Sequence, residues 1–220
     1  MNILVINPNS STLVTKSMED CLALVQDSQK HSIRCVELAK SPEGIETDEH
    51  VEMVIPNLLE AVAESNADAF VVACFSDPGI DAVRKATSKP VVGIAESAYL
   101  LSLSLRARFG IISLGQSSID RHLRYLRTLQ LHERLAGDRS IDMTVAELVR
   151  TDVVETLTRV GRQLRDRDGA DVIILGCAGL GSYREVLEAR LGIPVVDPVQ
   201  AGVILAGAQL DLGYRSQAMQ

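Results

Sequence analysis

The chain has 220 residues, of which 46% are hydrophobic and 23% are charged, a composition typical of a globular protein with one compact unit or two small lobes. Its formal net charge is −7, whereas nucleic-acid-binding proteins usually carry a basic surface, so we expect no nucleic-acid partner. No apolar run is long enough to cross a bilayer, and the first residues lack the pattern of a signal peptide. We therefore expect a cytoplasmic protein without membrane contact, whose four cysteines are free thiols rather than disulfides or metal ligands.

Short apolar segments alternate with segments of helical periodicity along the chain. Strands are predicted at residues 3–6, 33–38, 69–74, 91–93, 110–114, 172–176 and 195–196. Helices are predicted at 14–25, 51–62 and 153–164, and Pro56 either kinks the second of these or marks its true start. Most of the strands are apolar throughout, as parallel strands buried on both faces are. The pattern therefore predicts an α/β fold with parallel sheets flanked by helices.

An internal repeat divides the chain into two similar halves. Residues 67–74 begin with Ala-Asp, continue as an apolar run and end at Cys74, and the same pattern recurs in residues 170–177, which end at Cys177. Such a repeat predicts two similar α/β lobes related by a pseudo-two-fold axis, with the active site in the cleft between them.

The repeat also suggests where the lobes begin and end. The predicted lobes comprise residues 1–96 and 97–197, and a C-terminal helix over 198–220 is expected to complete the first. The chain has no linker-like stretch, so the connection between the lobes is predicted to be a short crossover near Ser97.

Each of the two repeated cysteines closes a predicted strand. Ligands of parallel α/β sheets bind beyond the carboxyl ends of the strands, so Cys74 and Cys177 are predicted to meet across the cleft. Asp77 is predicted as an N-cap and Pro78 as the first residue of a helix, and a small-residue turn after Cys177 leads into a helix over 183–190. Because helix N-termini favour thiolates, we expect the pKa of both thiols to be lowered. The alternative is that both are buried core cysteines.

Two facing thiols suit the inversion of a carbon stereocentre without a cofactor. One thiolate removes a proton from one face while the opposite thiol delivers a proton to the other face, and the roles reverse for the other enantiomer. We therefore predict a cofactor-independent racemase or isomerase that acts on a small molecule, with Cys74 and Cys177 as its catalytic acid–base pair. We also expect the protein to be a homo-oligomer.

Several spaced motifs resemble those of the aspartate/glutamate/hydantoin racemase superfamily, and most closely its hydantoin and allantoin racemase branch. They are Ile-Asn-Pro-Asn-Ser-Ser at 6–11, Ala-Cys-Phe-Ser-Asp-Pro-Gly at 73–79, Val-Gly-Ile-Ala-Glu-Ser at 92–97 and Leu-Gly-Cys-Ala-Gly at 175–179. The resemblance spans nearly the whole chain and implies the two-lobed fold and the two catalytic cysteines. It also implies that the first loop, residues 7–11, binds the substrate.

Substrate contacts are expected from the loops that follow the strands. The predicted contacts are Asn7, Asn9, Ser10, Phe75, Ser76, Ser113, Ala178 and Gly179. Ser10 or Ser11 could instead serve as the N-cap of the first helix, and a cap can coexist with a substrate contact. The loop at 42–46 is either a lid or a polar connection, and Glu96 is expected to be a solvated carboxylate at a helix start.

The residues beside the cysteines bear on the choice of substrate. Amino-acid racemases of this superfamily carry Asn-Thr after the first cysteine and Thr-His or Thr-Glu after the second, whereas this chain has Phe75-Ser76 and Ala178-Gly179. These departures argue against free aspartate or glutamate. A decarboxylase or cis–trans isomerase acting on a small dicarboxylate, and a non-catalytic binding protein, remain alternatives. The four histidines and the basic run at 121–127 are predicted to be solvent-exposed.

Overall fold

The fold consists of two four-stranded parallel sheets flanked by helices, in a computed structural model that describes residues 1–26, 30–106 and 108–215. The first sheet contains β1 (Asn2–Asn7), β2 (Ser32–Glu37), β3 (Ala69–Val72) and β4 (Val91–Gly93). The second contains β5 (Phe109–Ser113), β6 (Leu135–Ser140), β7 (Val172–Leu175) and β8 (Val195–Val196). The strand orders are β2-β1-β3-β4 and β6-β5-β7-β8, so the second sheet repeats the topology of the first. The predicted α/β fold with two similar parallel sheets is confirmed.

Helices connect the strands and cover both sheets. They are α1 (Thr12–Gln26), α2 (Asp48–Met53), α3 (Ile55–Glu64), α4 (Ile80–Ala86), α5 (Ile94–Leu105), α6 (Gln116–Thr128), α7 (Val145–Leu148), α8 (Val154–Asp166), α9 (Arg184–Leu191) and α10 (Pro198–Asp211). Short 3₁₀ helices lie at His132–Arg134 and Ala178–Tyr183. The helix predicted over 51–62 is divided between α2 and α3, because Pro56 lies in the first turn of α3 and lacks the N–H that a continuous helix would need.

The strand predictions differ from the structure in two respects. β3 and β7 end before the predicted ends, so Cys74 and Cys177 lie in the loops that follow these strands. β6 has no counterpart among the predicted strands, because its sequence Leu-Ala-Gly-Asp-Arg-Ser has neither an apolar run nor a regular alternation. Within the described ranges it is an edge strand that pairs with β5 alone, and all its residues are partly exposed, which explains why a polar sequence suffices there.

The helix that follows β3 begins later than predicted. Gly79, with φ of +64°, is the N-cap of α4, so Asp77 and Pro78 precede that helix. Asp77 has φ of +43°, and its carboxylate accepts hydrogen bonds from Ala95 N and Glu96 N, both at 2.9 Å. The prediction that Asp77 caps α4 is therefore wrong. It caps α5 instead, through a long-range contact that local spacing does not reveal, and burial raises its pKa to about 7.

Two helices connect the halves of the molecule. α5 contains Ser97 and contacts β4 of the first sheet as well as β5 and β7 of the second. α10 packs on the first sheet, where Gly202 lies against Val71 of β3. The C-terminal helix predicted over 198–220 ends at Asp211, and residues 216–220 lie outside the described residues. In the part of the chain that the structure describes, no helix combines the length and apolar character needed to cross a membrane.

Candidate active site

A small cavity lies beyond the carboxyl ends of both sheets, where the two halves of the chain meet. Its volume is about 40 Å³, which leaves room for a few water molecules. The first half lines it with Asn9, Val14, Ile45, Ala73, Cys74, Phe75 and Ser76. The second half lines it with Leu114, Ser118, Arg121, His122, Val145, Gly176, Cys177 and Ala178. Both repeated cysteines therefore border the same space.

The two cysteines occupy equivalent positions in the duplicated fold. The N–H of Ala73 donates to the carbonyl oxygen of Ile6 in β1, and the N–H of Gly176 donates to that of Ile112 in β5, each at 2.8 Å. The residue before each cysteine is therefore still hydrogen-bonded to the neighbouring strand of its sheet. Cys74 and Cys177 follow directly and are partly exposed. Both thiols thus border a cavity rather than being enclosed in the apolar core.

The surroundings of Cys74 act on its thiol in opposite directions. Burial raises the pKa of Cys74 to about 11, because it disfavours the thiolate. The backbone N–H and hydroxyl of Ser76 and the positive charge of Arg121 lower this pKa, because they stabilise the thiolate, whereas the negative charge of Asp77 raises it. Donors from both halves of the chain thus favour a thiolate at Cys74, although burial has the larger effect.

The surroundings of Cys177 disfavour a thiolate more strongly. Burial raises the pKa of Cys177 to about 12, the N–H of Gly179 lowers it, and the negative charges of Cys74 and Glu46 raise it. Cys177 directly precedes the 3₁₀ helix Ala178–Tyr183, whereas α4 begins well after Cys74. The expectation that helix N-termini lower the pKa of both thiols is therefore wrong, because burial outweighs the nearby amides.

The predicted contact residues fall into two groups. Those that line the cavity are Asn9, Phe75, Ser76 and Ala178. The other four predicted contacts, Asn7, Ser10, Ser113 and Gly179, are not part of its lining. Of these, Asn7 and Ser113 are fully buried and contact residues that line the cavity.

Asn7 is fully buried and organises the first loop. Its Nδ2 donates to Asn9 Oδ1 at 2.8 Å, and its Oδ1 accepts from Asn9 N at 3.2 Å. The hydroxyl of Ser11 accepts from Val14 N at 3.4 Å, so Ser11 rather than Ser10 caps α1. Asn7 therefore fixes the position of Asn9 at the cavity instead of reaching the cavity itself.

Arg121 reaches the cavity from α6 although its side chain is only 7% exposed. Its Nε donates to Ser76 Oγ at 3.3 Å, its Nη2 to Ser118 Oγ at 3.2 Å and its Nη1 to Glu46 O at 3.0 Å. One guanidinium thus joins the loop after Cys74, the start of α6 and the segment before α2.

His122 is the neighbouring residue of α6, and its side chain is 2% exposed. Its Nδ1 lies 2.8 Å from Asp138 Oδ2, and the hydroxyl of Ser113 donates to Asp138 Oδ1 at 2.5 Å. The edge of one ring meets the face of the other between His122 and Phe75, with centroids 5.0 Å apart. Ser113 and Asp138 therefore stand behind His122, which itself borders the cavity.

The loop at 42–46 crosses from the first half of the chain to the second, and we refer to it as the strap. Ile45 forms part of the cavity wall. The carbonyl of Glu46 accepts from the Ser117 hydroxyl at 2.6 Å, and Glu46 Oε1 accepts from Val145 N at 2.8 Å. Of the two interpretations of this loop, the contacts favour a cover over the cavity.

Comparison with known proteins identifies the family to which the chain belongs. Residues 3–206 match the family described as Asp/Glu/Hydantoin racemase. The chain belongs to this family. The hydantoin racemase of Paenarthrobacter aurescens is 36% identical over 98% of this chain and 94% of its own length, and that of Pseudomonas sp. strain NS671 is 34% identical over 100% and 90%. The solved structure of the allantoin racemase from Klebsiella pneumoniae has a TM-score of 0.94 and 27% identity, covering 99% of this chain and 90% of its own. The protein is therefore an enzyme of the racemase type, as its motifs predicted.

Several polar residues of this racemase lie elsewhere than the sequence predicted. Arg121, His122 and His31 were expected at the surface but are buried. Glu96 was expected to be solvated, but it is partly buried and accepts from Arg84 Nη2 at 2.9 Å. These predictions are wrong because each rested on local composition, whereas the burial follows from contacts with distant segments.

The internal repeat contains a signal that points to Arg121. The Ser-Ser pair before α1 recurs before the second turn of α6, so Ser11 corresponds to Ser118 and Val14 corresponds to Arg121. Both Val14 and Arg121 line the cavity. If the repeat is extended from the loops into the helices that follow them, it predicts that Arg121 and the adjacent His122 lie at the cavity.

Proposed function

We propose that this racemase interconverts the enantiomers of a hydantoin-type substrate, a small cyclic amide whose stereocentre carries a C–H next to a carbonyl. Relatives named hydantoin racemase and an allantoin racemase structure support this substrate class. The observation that carries the proposal is that Cys74 and Cys177, from equivalent positions of the two halves, border one cavity. Phe75 and Ala178 add apolar walls where amino-acid racemases are expected to carry polar pairs.

In the proposed reaction the two cysteines exchange roles as base and acid. A thiolate removes the proton from the stereocentre, and the electron pair of the C–H bond moves into the adjacent carbonyl to give an enolate. The opposite thiol then donates its proton to the other face of the same carbon, and the carbonyl re-forms. Each turnover ends with thiol and thiolate interchanged, so the reverse reaction starts from the other cysteine.

The charges around the cavity favour one resting arrangement. Arg121 stabilises a thiolate at Cys74, whereas Glu46 disfavours one at Cys177. We therefore assign the first ionisation to Cys74, so that its thiolate is the base that starts the reaction and Cys177 supplies the thiol. A decarboxylase of related fold would need only one proton-donating cysteine, so a cavity bordered by two favours racemisation.

The test is incubation of single enantiomers of 5-substituted hydantoins and of allantoin in D₂O. We expect optical rotation to fall to zero while one deuterium enters at the stereocentre of each molecule. An enzyme-free sample corrects for spontaneous racemisation, and Cys35→Ala, which alters a cysteine outside the cavity, should behave as wild type. Racemisation of aspartate or glutamate with no effect on any hydantoin or allantoin would overturn the proposed substrate class.

A further inference from the structure

His122 has a buried carboxylate partner on the side facing away from the cavity. The side chain of Asp138 is 1% exposed, and its two oxygens are engaged by the hydroxyl of Ser113 and by Nδ1 of His122. Among the described residues, His122 is the sole group that can offer Asp138 a positive charge within ion-pair distance. Because a buried carboxylate needs hydrogen-bond partners, the contacts of Asp138 with Ser113 and His122 hold the imidazole ring in one orientation.

The other ring nitrogen of His122 is left for a ligand. Nδ1 is occupied by Asp138, and Nε2 has no hydrogen-bond partner in the described part of the chain, although His122 borders the cavity. Phe75 packs against the ring at an interplanar angle of 88°, so the ring is held between Phe75 and Asp138. A buried ring nitrogen beside a cavity requires a hydrogen-bond partner there, supplied by substrate or water.

Several other donors near the cavity have partners within the protein. The N–H groups of Ser76 and Gly179 act on the thiols of Cys74 and Cys177. Arg121 donates to Ser76, Ser118 and Glu46. The amides near the cysteines, which could otherwise bind an enolate oxygen, thus serve the sulfurs.

We propose that His122 Nε2–H donates a hydrogen bond to the substrate carbonyl oxygen next to the stereocentre, and that Asp138 and Ser113 position it. This inference rests on the proposed function. When a thiolate removes the proton, negative charge moves from carbon to this oxygen, and the hydrogen bond from Nε2–H stabilises that charge without transfer of the Nε2 proton. A donor that is oriented before the reaction, in a site shielded from water, stabilises such charge most effectively.

Kinetic comparison of variants provides the first test. We expect His122→Ala to lower kcat by about 10²- to 10³-fold with a smaller change in KM, because the interaction strengthens in the transition state. His122→Gln, whose amide also offers an N–H, should have a kcat between that of His122→Ala and that of wild type. Asp138→Asn should lower kcat with little change in KM, as expected of a positioning residue. A kcat of His122→Ala within threefold of wild type would overturn the inference.

A second test uses the wild-type protein and so does not depend on how any variant folds. The probe is 5,5-dimethylhydantoin, which lacks the exchangeable C–H and cannot be racemised. We expect ¹⁵N NMR of labelled His122 to show a protonated Nε2 whose signal shifts when the probe binds. An unprotonated Nε2, or no shift at saturation, would contradict the inference. Failure of the proposed function itself is separate, because the wild type would then leave every hydantoin optically unchanged.

Discussion

Arg121 donates from Nε to the hydroxyl of Ser76 at 3.3 Å, and this contact holds its guanidinium beside the loop that begins at Cys74. The positive charge lowers the pKa of that thiol. Among the residues that the structure describes, no cation contributes to the pKa of Cys177, which the carboxylate of Glu46 raises. The two halves of the cavity are therefore similar in backbone and different in charge.

The first prediction concerns this charge. Arg121→Gln should raise the pKa of Cys74, so iodoacetamide at pH 9 should label Cys74 several-fold more slowly than in wild type, because the thiolate is the nucleophile. Mass spectrometry resolves the labelling of each cysteine. Arg127→Gln is the matched control, since Arg127 lies on the exposed face of the same helix. Equal labelling of Cys74 in wild type and Arg121→Gln would show that the charge does not act on this thiol.

The second prediction concerns the charge on the strap. Glu46→Gln keeps an oxygen that can accept from Val145 N but removes the negative charge, so the pKa of Cys177 should fall. At a fixed alkaline pH, alkylation of Cys177 should become faster while that of Cys35 stays unchanged. The exposed Glu49→Gln serves as the control. Unaltered labelling of Cys177 would mean that Glu46 only attaches the strap by its hydrogen bonds and that its charge does not affect this thiol.

The third prediction concerns the pH dependence of racemisation. The pKa of Cys74 is raised to about 11, so the thiolate fraction increases about tenfold for each pH unit below that value. We expect kcat/KM for a hydantoin to rise with this slope between pH 7 and pH 10, after subtraction of the spontaneous reaction. A profile that is flat over this range, or that declines above neutral pH, is inconsistent with a base formed by ionisation of so weakly acidic a thiol.

The fourth prediction concerns the residue before Cys177. A Cβ on Gly176 would lie 2.6 Å from the carbonyl oxygen of Ile112, so Gly176→Ala should displace the strand end that carries Cys177. We expect the free energy of unfolding to fall by about 1–3 kcal/mol and racemisation to decrease as well. Gly115→Ala, where a Cβ meets open space, should cost less, up to about 1 kcal/mol, because alanine replaces glycine at the N-cap of α6. Equal denaturation midpoints for the two variants would contradict the steric argument.

Most of the fold could be predicted from the sequence because its main strands are apolar and repeated. The predicted strands around Cys74 and Cys177 fall at equivalent positions of two sheets with the same order. β6 escaped prediction because an edge strand can be polar, and Asp138 and Arg139 carry no apolar signal. The cap at Asp77 escaped because its partners lie on α5, far along the chain.

The candidate site was predictable where chemistry follows directly from a strand end, and less so elsewhere. Cys74, Phe75 and Ala178 border the cavity because the loops after β3 and β7 must cross the carboxyl edges of their sheets. Arg121 and His122 come from a helix whose overall composition is basic, and composition alone indicates a solvated face. Their burial depends on Asp138, Ser76 and the strap, which are distant in sequence.

Single-cysteine variants test the central claim most directly. Cys74→Ala and Cys177→Ala should each lower the rate at which either enantiomer of a hydantoin is converted into the other by at least about 10²-fold, because each variant lacks one of the two proton-transferring groups. Far-UV circular dichroism and the unfolding midpoint should match wild type, and Cys35→Ala should retain full activity. Racemisation at the wild-type rate by a folded Cys74→Ala or Cys177→Ala enzyme would contradict the two-cysteine mechanism.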